Sequence, residues 1–411
     1  MGEQDLGATT PTAVNADRAP VNTHVHVPPN FSAFGSVEEA VRFAAAEGIR
    51  ALGASNFHDV HVYRRFARSA EMAGILPLFG VEFVTVLDGP MRDGTRINDP
   101  GNPGRMYLCG KGVDPFAEPS PAAAALATAV RTADQMRMAA MVPLLRACFN
   151  AAGLETALTA ENIVEEVAER ADVPPTWVVL QERHIAQAFQ EALFLRIPPE
   201  RRPMVLARVF GGPASASVDD PVAVQAEIRA RLMKAGRPAF VAESPVPFED
   251  AYRLILEMNG IPCYPTLADG SDPLCPWEAP ADALAARLLE HGIFAAELIP
   301  ERNQPSVVDA YVAAFRAAGI IVMAGTEHNT QRRIPMEPRC ADGAPPSEMA
   351  SAAFWEGTCI VAAHQQQRAL GRAGYVDGAG RLNPDFADAT ARRRWFRDQG
   401  AALIGTPVAA R

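Results

Sequence analysis

The chain is poor in histidine and cysteine, with eight and six among 411 residues, and no two cysteines form a CxxC pair. Cys109, Cys148, Cys263, Cys275, Cys340 and Cys359 are scattered, which argues against a paired-cysteine motif and suits reduced thiols in a cytoplasmic protein. No apolar run of about 18 residues free of charge occurs, so no membrane span is expected. Met1-Gly2-Glu3-Gln4-Asp5 lacks the basic start and apolar stretch of a signal peptide. Positive charge is not in excess either. The formal net charge is -10, which argues against binding to nucleic acid or anionic membranes while leaving room for a locally basic pocket. GxGxxG and Walker patterns, internal repeats and low-complexity segments are all missing.

Against this background the pair His24 and His26, in Asn22-Thr23-His24-Val25-His26-Val27, stands out. Side chains two apart on a strand point to the same side, so both imidazoles can aim at one Zn²⁺, Mn²⁺ or Fe²⁺ ion. The length allows a large core and two structural units. Residues 1–20, small, polar and proline-containing, read as a leader. From Val21 strand-like and helix-like segments alternate, the pattern of an α/β fold with a parallel sheet. Ser36 and Glu39 predict a capping box opening a helix to about Ala46, followed by Gly48 as its C-terminal glycine. Strands are expected at 50–54, 76–84 and 105–111, with a helix at 62–73. Residues 116–244 change character, being Ala-rich and helix-periodic, and read as a helical insertion. Alternation returns from 245: helices at 248–258, 282–291 and 307–318, strands at 261–266, 293–299 and 320–324, and a last helix at 346–372. Residues 373–411 read as a tail. Roughly seven strands with polar residues at their ends fit a distorted (β/α)7 barrel, formed by 21–115 and 245–372, better than a doubly wound sheet.

The strand ends carry an ordered set. His24 and His26 come first, then Ser55-Asn56-Phe57-His58-Asp59, Gly80-Val81-Glu82, Glu297 with Arg302, and Gly325-Thr326-Glu327-His328-Asn329. The insertion adds Arg183-His184-Ile185-Ala186. This order resembles the polymerase and histidinol phosphatase (PHP) family of metal-dependent phosphoesterases, with its HxH, TDH-like, GxE and GSDxH-like motifs. The Arg183 run resembles the Arg-x-His-Ile-Ala element of its small-phosphoester phosphatases. The resemblance implies a barrel with metal ions in the strand-end cleft, and makes His24, His26, Glu82, His184 and His328 the metal ligands. It departs at three points. Asn56-Phe57-His58 stands for an Asp-His, Tyr264-Pro265 for a His-Pro, and the last motif reads Glu327-His328. One or two divalent ions (Mn, Zn or Fe) are therefore expected, fewer than the family holds.

Imidazole plus carboxylate holds a divalent metal, which lowers the pKa of water and polarises a phosphoryl oxygen. For the anionic substrate, Arg183 and Arg302 are the expected guanidinium clamps, with Arg105 and Lys111 as further cations. Glu327 and His328 complete the catalytic candidates. His58 stands equally as ligand and as loop residue, Glu297 equally as ion-pair partner and as acid. His61 and His291 read as helix-surface groups, His364 as a locally bonded one, Cys263 and Cys340 as inert, Asp269 and Asp272 as turn formers. The expected function is a metal-dependent phosphoesterase acting on a small phosphorylated metabolite. A hydrolase of a lactone, amide or carbohydrate-derived substrate, or a non-catalytic binding descendant, are the alternatives. Oligomeric state is not legible.

Overall fold

A computed structural model describes residues 19–242 and 246–405. All but the last two residues of the expected leader lie outside these. Seven strands, β1 (Val21–Val25), β2 (Ala51–Phe57), β3 (Leu76–Val86), β4 (Arg105–Lys111), β5 (Ile261–Thr266), β6 (Ala295–Leu298) and β7 (Ile321–Ala324), form one sheet in chain order. The sheet curls into a nearly closed barrel. Its seam is backbone pairing of Val25 with Glu327, with His26 N donating to Glu327 O at 2.7 Å and Glu327 N to His24 O at 2.8 Å. The distorted α/β barrel is thus as expected.

The sheet is not wholly parallel. β4 runs antiparallel to both β3 and β5. The chain between β3 and β4 holds only one short helix, Asp88–Asp93, too little for the crossover that a parallel pair needs, so β4 returns down the barrel.

In chain order the helices are α1 (Val37–Ala46), α2 (Tyr63–Met72), α3 (Asp88–Asp93), α4 (Pro121–Ala151), α5 (Ala160–Ala171), α6 (Glu182–Arg196), α7 (Arg202–Phe210), α8 (Pro221–Ile228), α9 (Phe248–Glu257), α10 (Ala281–Glu290), α11 (Pro305–Ala317), α12 (Glu348–Ala369) and α13 (Ala389–Gly405). Ser36 caps α1 by accepting from Glu39 N at 3.1 Å, but the Glu39 carboxylate bonds Gly35 N rather than closing the reciprocal box. α1, α2, α9, α10 and α11 bury apolar stripes around the barrel. α12 packs across inward-facing Ala51, Leu78, Cys263, Ala295 and Ile321, and so seals the barrel floor. Most of the region expected as a tail has structure: α13 lies on α12, with Phe396 and Ile404 in the same cluster.

α4 ties the insertion to the barrel. At 31 residues it is about 46 Å long. Its early residues Ala123 and Val130 pack with the barrel cluster, and from Met138 onward it belongs to a separate core with α6, α7 and α8. Among the described residues no helix is long and apolar enough to cross a membrane.

Candidate metal centre

β1 ends inside the barrel mouth, and a register irregularity between Asn22 and Val25 breaks its alternation, so that adjacent Thr23 and His24 both reach Glu297 and His24 is fully buried. His24 Nδ1 lies 2.6 Å from Glu297 Oε2 on β6. A carboxylate only accepts, so Nδ1 is the donor and Nε2 keeps its lone pair. That Nε2 is buried with no hydrogen-bond partner among the described residues. His24, His26 and Glu82 each offer one ligand atom, and these atoms lie within 4.8 Å of one another. His26 Nε2 stands 3.6 Å from Glu82 Oε2, too far for a hydrogen bond. Burial, reinforced by His24, pushes His26 down to about 3, so its ring is neutral and able to ligate. Burial and then the Glu327 charge push Glu82 up. Two imidazoles and a carboxyl group, buried around a ring nitrogen without a partner among the described residues, fit a divalent cation.

His24 also lies within 4.8 Å of Cys109 and Glu297. That grouping is the poorer one. Glu297 is already engaged by Lys111 Nζ at 2.8 Å and by Thr23 Oγ1 at 2.7 Å, and burial raises the Cys109 thiol well above its usual value.

Glu327 follows β7 in the left-handed region, φ 56°, as does His328 at 49°. This double turn parts the two residues. Glu327 enters the cleft and is held bidentately by Arg302, at 3.0 and 2.5 Å. Burial would raise its pKa, but Arg302 overrides this and holds the carboxyl well down. His328 turns away: Nδ1 bonds Thr326 Oγ1 at 2.7 Å, Nε2 bonds Ile334 O at 3.0 Å, and the ring stacks on Phe34. The structure therefore does not bring His328 to the cluster as a ligand. His184 is likewise elsewhere. Its Nδ1 accepts from Gln181 N at 3.1 Å, capping α6, and its ring packs edge-on against Phe31.

The positions where the sequence departs from the PHP motifs are also committed. Asn56 exchanges two 2.9 Å bonds with the backbone of Val27. Tyr264 donates to Glu278 at 2.9 Å.

The cleft above the cluster, about 890 Å³, lies between the barrel mouth and the insertion. Arg183 lines it with no carboxylate partner among the described residues, and burial, then Arg229, push its pKa down to about 9. Beside it Glu182 is gripped by Lys234 at 2.6 Å, Arg137 at 3.2 Å and Arg229 at 3.4 Å. His58 also lines the cleft. Its backbone is left-handed at φ 53°, its ring stacks on Phe57, and both ring nitrogens are buried without partners among the described residues.

Arg302 is in the cleft, but its fork is spent on Glu327 and not free for substrate. Lys111 is not a rim cation at all: it is buried inside the barrel on Glu297. Arg105 lines the cleft, 3.3 Å from Asp99. The sequence reading missed Arg137, Arg229 and Lys234. Their signal is faint, because they stand on insertion helices whose docking onto the cleft has no motif. Glu297 is an ion-pair partner, and His364, expected to bond locally, instead bonds distant Asn259 O and accepts from Tyr375 N beyond its own helix.

No family model and no curated protein matches this chain. Two solved structures are similar to it. One is a candidate metal-dependent phosphoesterase from Bifidobacterium adolescentis, with TM-score 0.52 and 14% identity over 80% of this chain and 93% of that one. The other is an amidohydrolase from Chromobacterium violaceum with bound sulfate and no metal, with TM-score 0.52 and 16% identity over 80% of this chain and 94% of that one. At such identities the likeness is one of fold, shared with proteins described as a phosphoesterase and an amidohydrolase.

Proposed function

We propose that this chain is a metal-dependent hydrolase of a small anionic metabolite, with a phosphomonoester as the leading substrate class. One observation carries the reading: the ring of His24, whose Nε2 has no partner among the described residues, converges with His26 and Glu82 at the foot of a cleft. A divalent cation held by these three residues supplies Lewis acidity, activating water and polarising the oxygen of the scissile group. Glu297 fixes the His24 ring from behind. Arg183 binds the anionic group, since its guanidinium forms no salt bridge among the described residues. Arg302 keeps Glu327 ionised and oriented beside the ligands, where it accepts a hydrogen bond that orients the attacking water. The insertion wall excludes bulk solvent and strengthens these charge interactions.

The donor set suits one ion rather than several, because Asn56, Tyr264, His184 and His328 are all engaged in structural bonds. That same count favours a second reading, hydrolysis of a lactone or amide, for which Lewis-acid activation of a carbonyl by one ion suffices.

The test is metal content by mass spectrometry, then a panel of phosphomonoesters, lactones and amides with Mn²⁺ or Zn²⁺. The expected result is bound metal and phosphomonoester turnover, both lost in His24→Ala/His26→Ala with the fold intact by circular dichroism. Unchanged metal content in that variant overturns the proposal, and turnover of lactones or amides alone selects the second reading.

A further inference from the structure

We propose that Lys111 is a positioning residue for the metal centre, holding Glu297 in the one arrangement that leaves His24 Nε2 free to ligate. The inference rests on the metal-centre reading of His24. Lys111 and Glu297 are 2% and 0% exposed, with Cys109 on the same strand as Lys111 and Cys263 on β5 also buried, so neither charge is open to bulk solvent. All the donors of the ammonium are used: Nζ bonds Glu297 Oε1 at 2.8 Å, Thr23 O at 3.1 Å and Ser55 Oγ at 3.2 Å. One side chain from β4 thus ties β1, β2 and β6 across the barrel interior.

The consequence runs outward from this tie. Oε1 of Glu297 is occupied by Lys111, which presents Oε2 to His24 Nδ1 at 2.6 Å. The opposite tautomer of His24 would set a ring lone pair against a carboxylate oxygen and lose a charge-assisted bond. The hydrogen bonds of Lys111 go to Thr23, Ser55 and Glu297, so its hold on His24 runs through Glu297.

A merely structural lysine would change stability and nothing else, so the test reads the tautomer itself. In metal-free protein with ¹⁵N-labelled histidine, the His24 nitrogen shifts report which nitrogen carries the proton, and a competition titration gives Zn²⁺ affinity. Wild type is expected to show the Nδ1-H form alone. Lys111→Met should lose that single form and bind Zn²⁺ about 10- to 100-fold more weakly, the range for removing a group that orients a ligand. Lys111→Met leaves a buried carboxylate without its cation and can fail to fold. The neutral pair Lys111→Met/Glu297→Gln keeps the proposal testable. Its amide NH₂ can donate to Thr23 Oγ1, which lies 2.7 Å from Glu297 Oε1 and can itself donate to Ala324 O, leaving the amide oxygen to accept from His24 Nδ1. It is expected to restore the Nδ1-H form and most of the Zn²⁺ affinity. A folded Lys111→Met with tautomer and affinity unchanged, or a folded double variant that restores neither, overturns the proposal. Because the tautomer is read without metal, it decides the role of Lys111 separately. Wild type that binds no Zn²⁺ sinks the hydrolase reading alone.

Discussion

Replacing Arg183 by Met should leave the protein at least as stable and yet cripple its hold on an anion. The guanidinium lines the cleft without a carboxylate partner among the described residues, and burial, followed by Arg229, lowers its pKa to about 9. For a base, a folded pKa below the unfolded value means the charged form is penalised in the fold. That penalty is at full size at neutral pH and fades only as pH rises past 9 toward 12.5. Methionine keeps much of the length and removes the charge. With a discount for the partly exposed surface, the variant should gain roughly 1 kcal/mol rather than lose it. Binding goes the other way. A charge-assisted hydrogen bond to substrate contributes about 1.5–3 kcal/mol, so KM should rise about 10- to 100-fold with kcat far less affected. Urea unfolding with and without inorganic phosphate reads both effects. Phosphate should stabilise wild type and leave Arg183→Met unmoved. A variant that loses more than about 1 kcal/mol while phosphate protects it as well as wild type refutes the reasoning, and makes Arg183 a structural residue.

Arg302→Ala should behave oppositely to Arg183→Met. Its fork is already filled by Glu327, so kcat is expected to fall about tenfold or more with KM within about threefold, and metal-free stability to drop by about 2 kcal/mol; a change confined to KM would return Arg302 to the role of substrate clamp. Stability should also fall steeply below neutral pH. His184 and His364 are pushed by burial down to about 3 and about 4, so the neutral rings favour the fold above the unfolded value of about 6.5, and that contribution is lost as pH falls. The two together give a slope of about 2.7 kcal/mol per pH unit near pH 5, and urea midpoints that match at pH 7 and pH 5 would contradict it. At the barrel seam, a Cβ on Gly325 would stand 2.3 Å from His24 Cβ. Gly325→Ala should therefore cost about 1–3 kcal/mol and weaken Zn²⁺ binding, and a variant with unchanged melting temperature and Zn²⁺ titration would show that the seam yields without moving His24.

Element order and most strand positions were legible because apolar periodicity and capping residues are local signals. Ile261–Thr266 and Arg105–Lys111 are strands as expected, but the direction of β4 was not readable, since pairing partners are set by tertiary packing. His24 and His26 were found from their two-residue spacing, and Glu82 from the resemblance of Gly80-Val81-Glu82 to the GxE motif. His184 and His328 matched motifs equally well, yet three-dimensional context decides what an imidazole does. A helix N-terminus claimed His184, and a left-handed turn rotated His328 onto Phe34. Lys111 read as a surface cation because sequence does not reveal that the opposing carboxylate lies on β6.

The double allegiance of α4 divides the labour of this protein along its chain. Residues that would perform chemistry stand on the barrel strands, whereas Arg137, Arg183, Arg229 and Lys234 stand on the insertion. Selectivity can then drift without disturbing reactivity, and exchanging the insertion between relatives becomes a route to new specificities. The splice has to fall after Val130, because Ala123 and Val130 are masonry of the barrel rather than of the part being swapped.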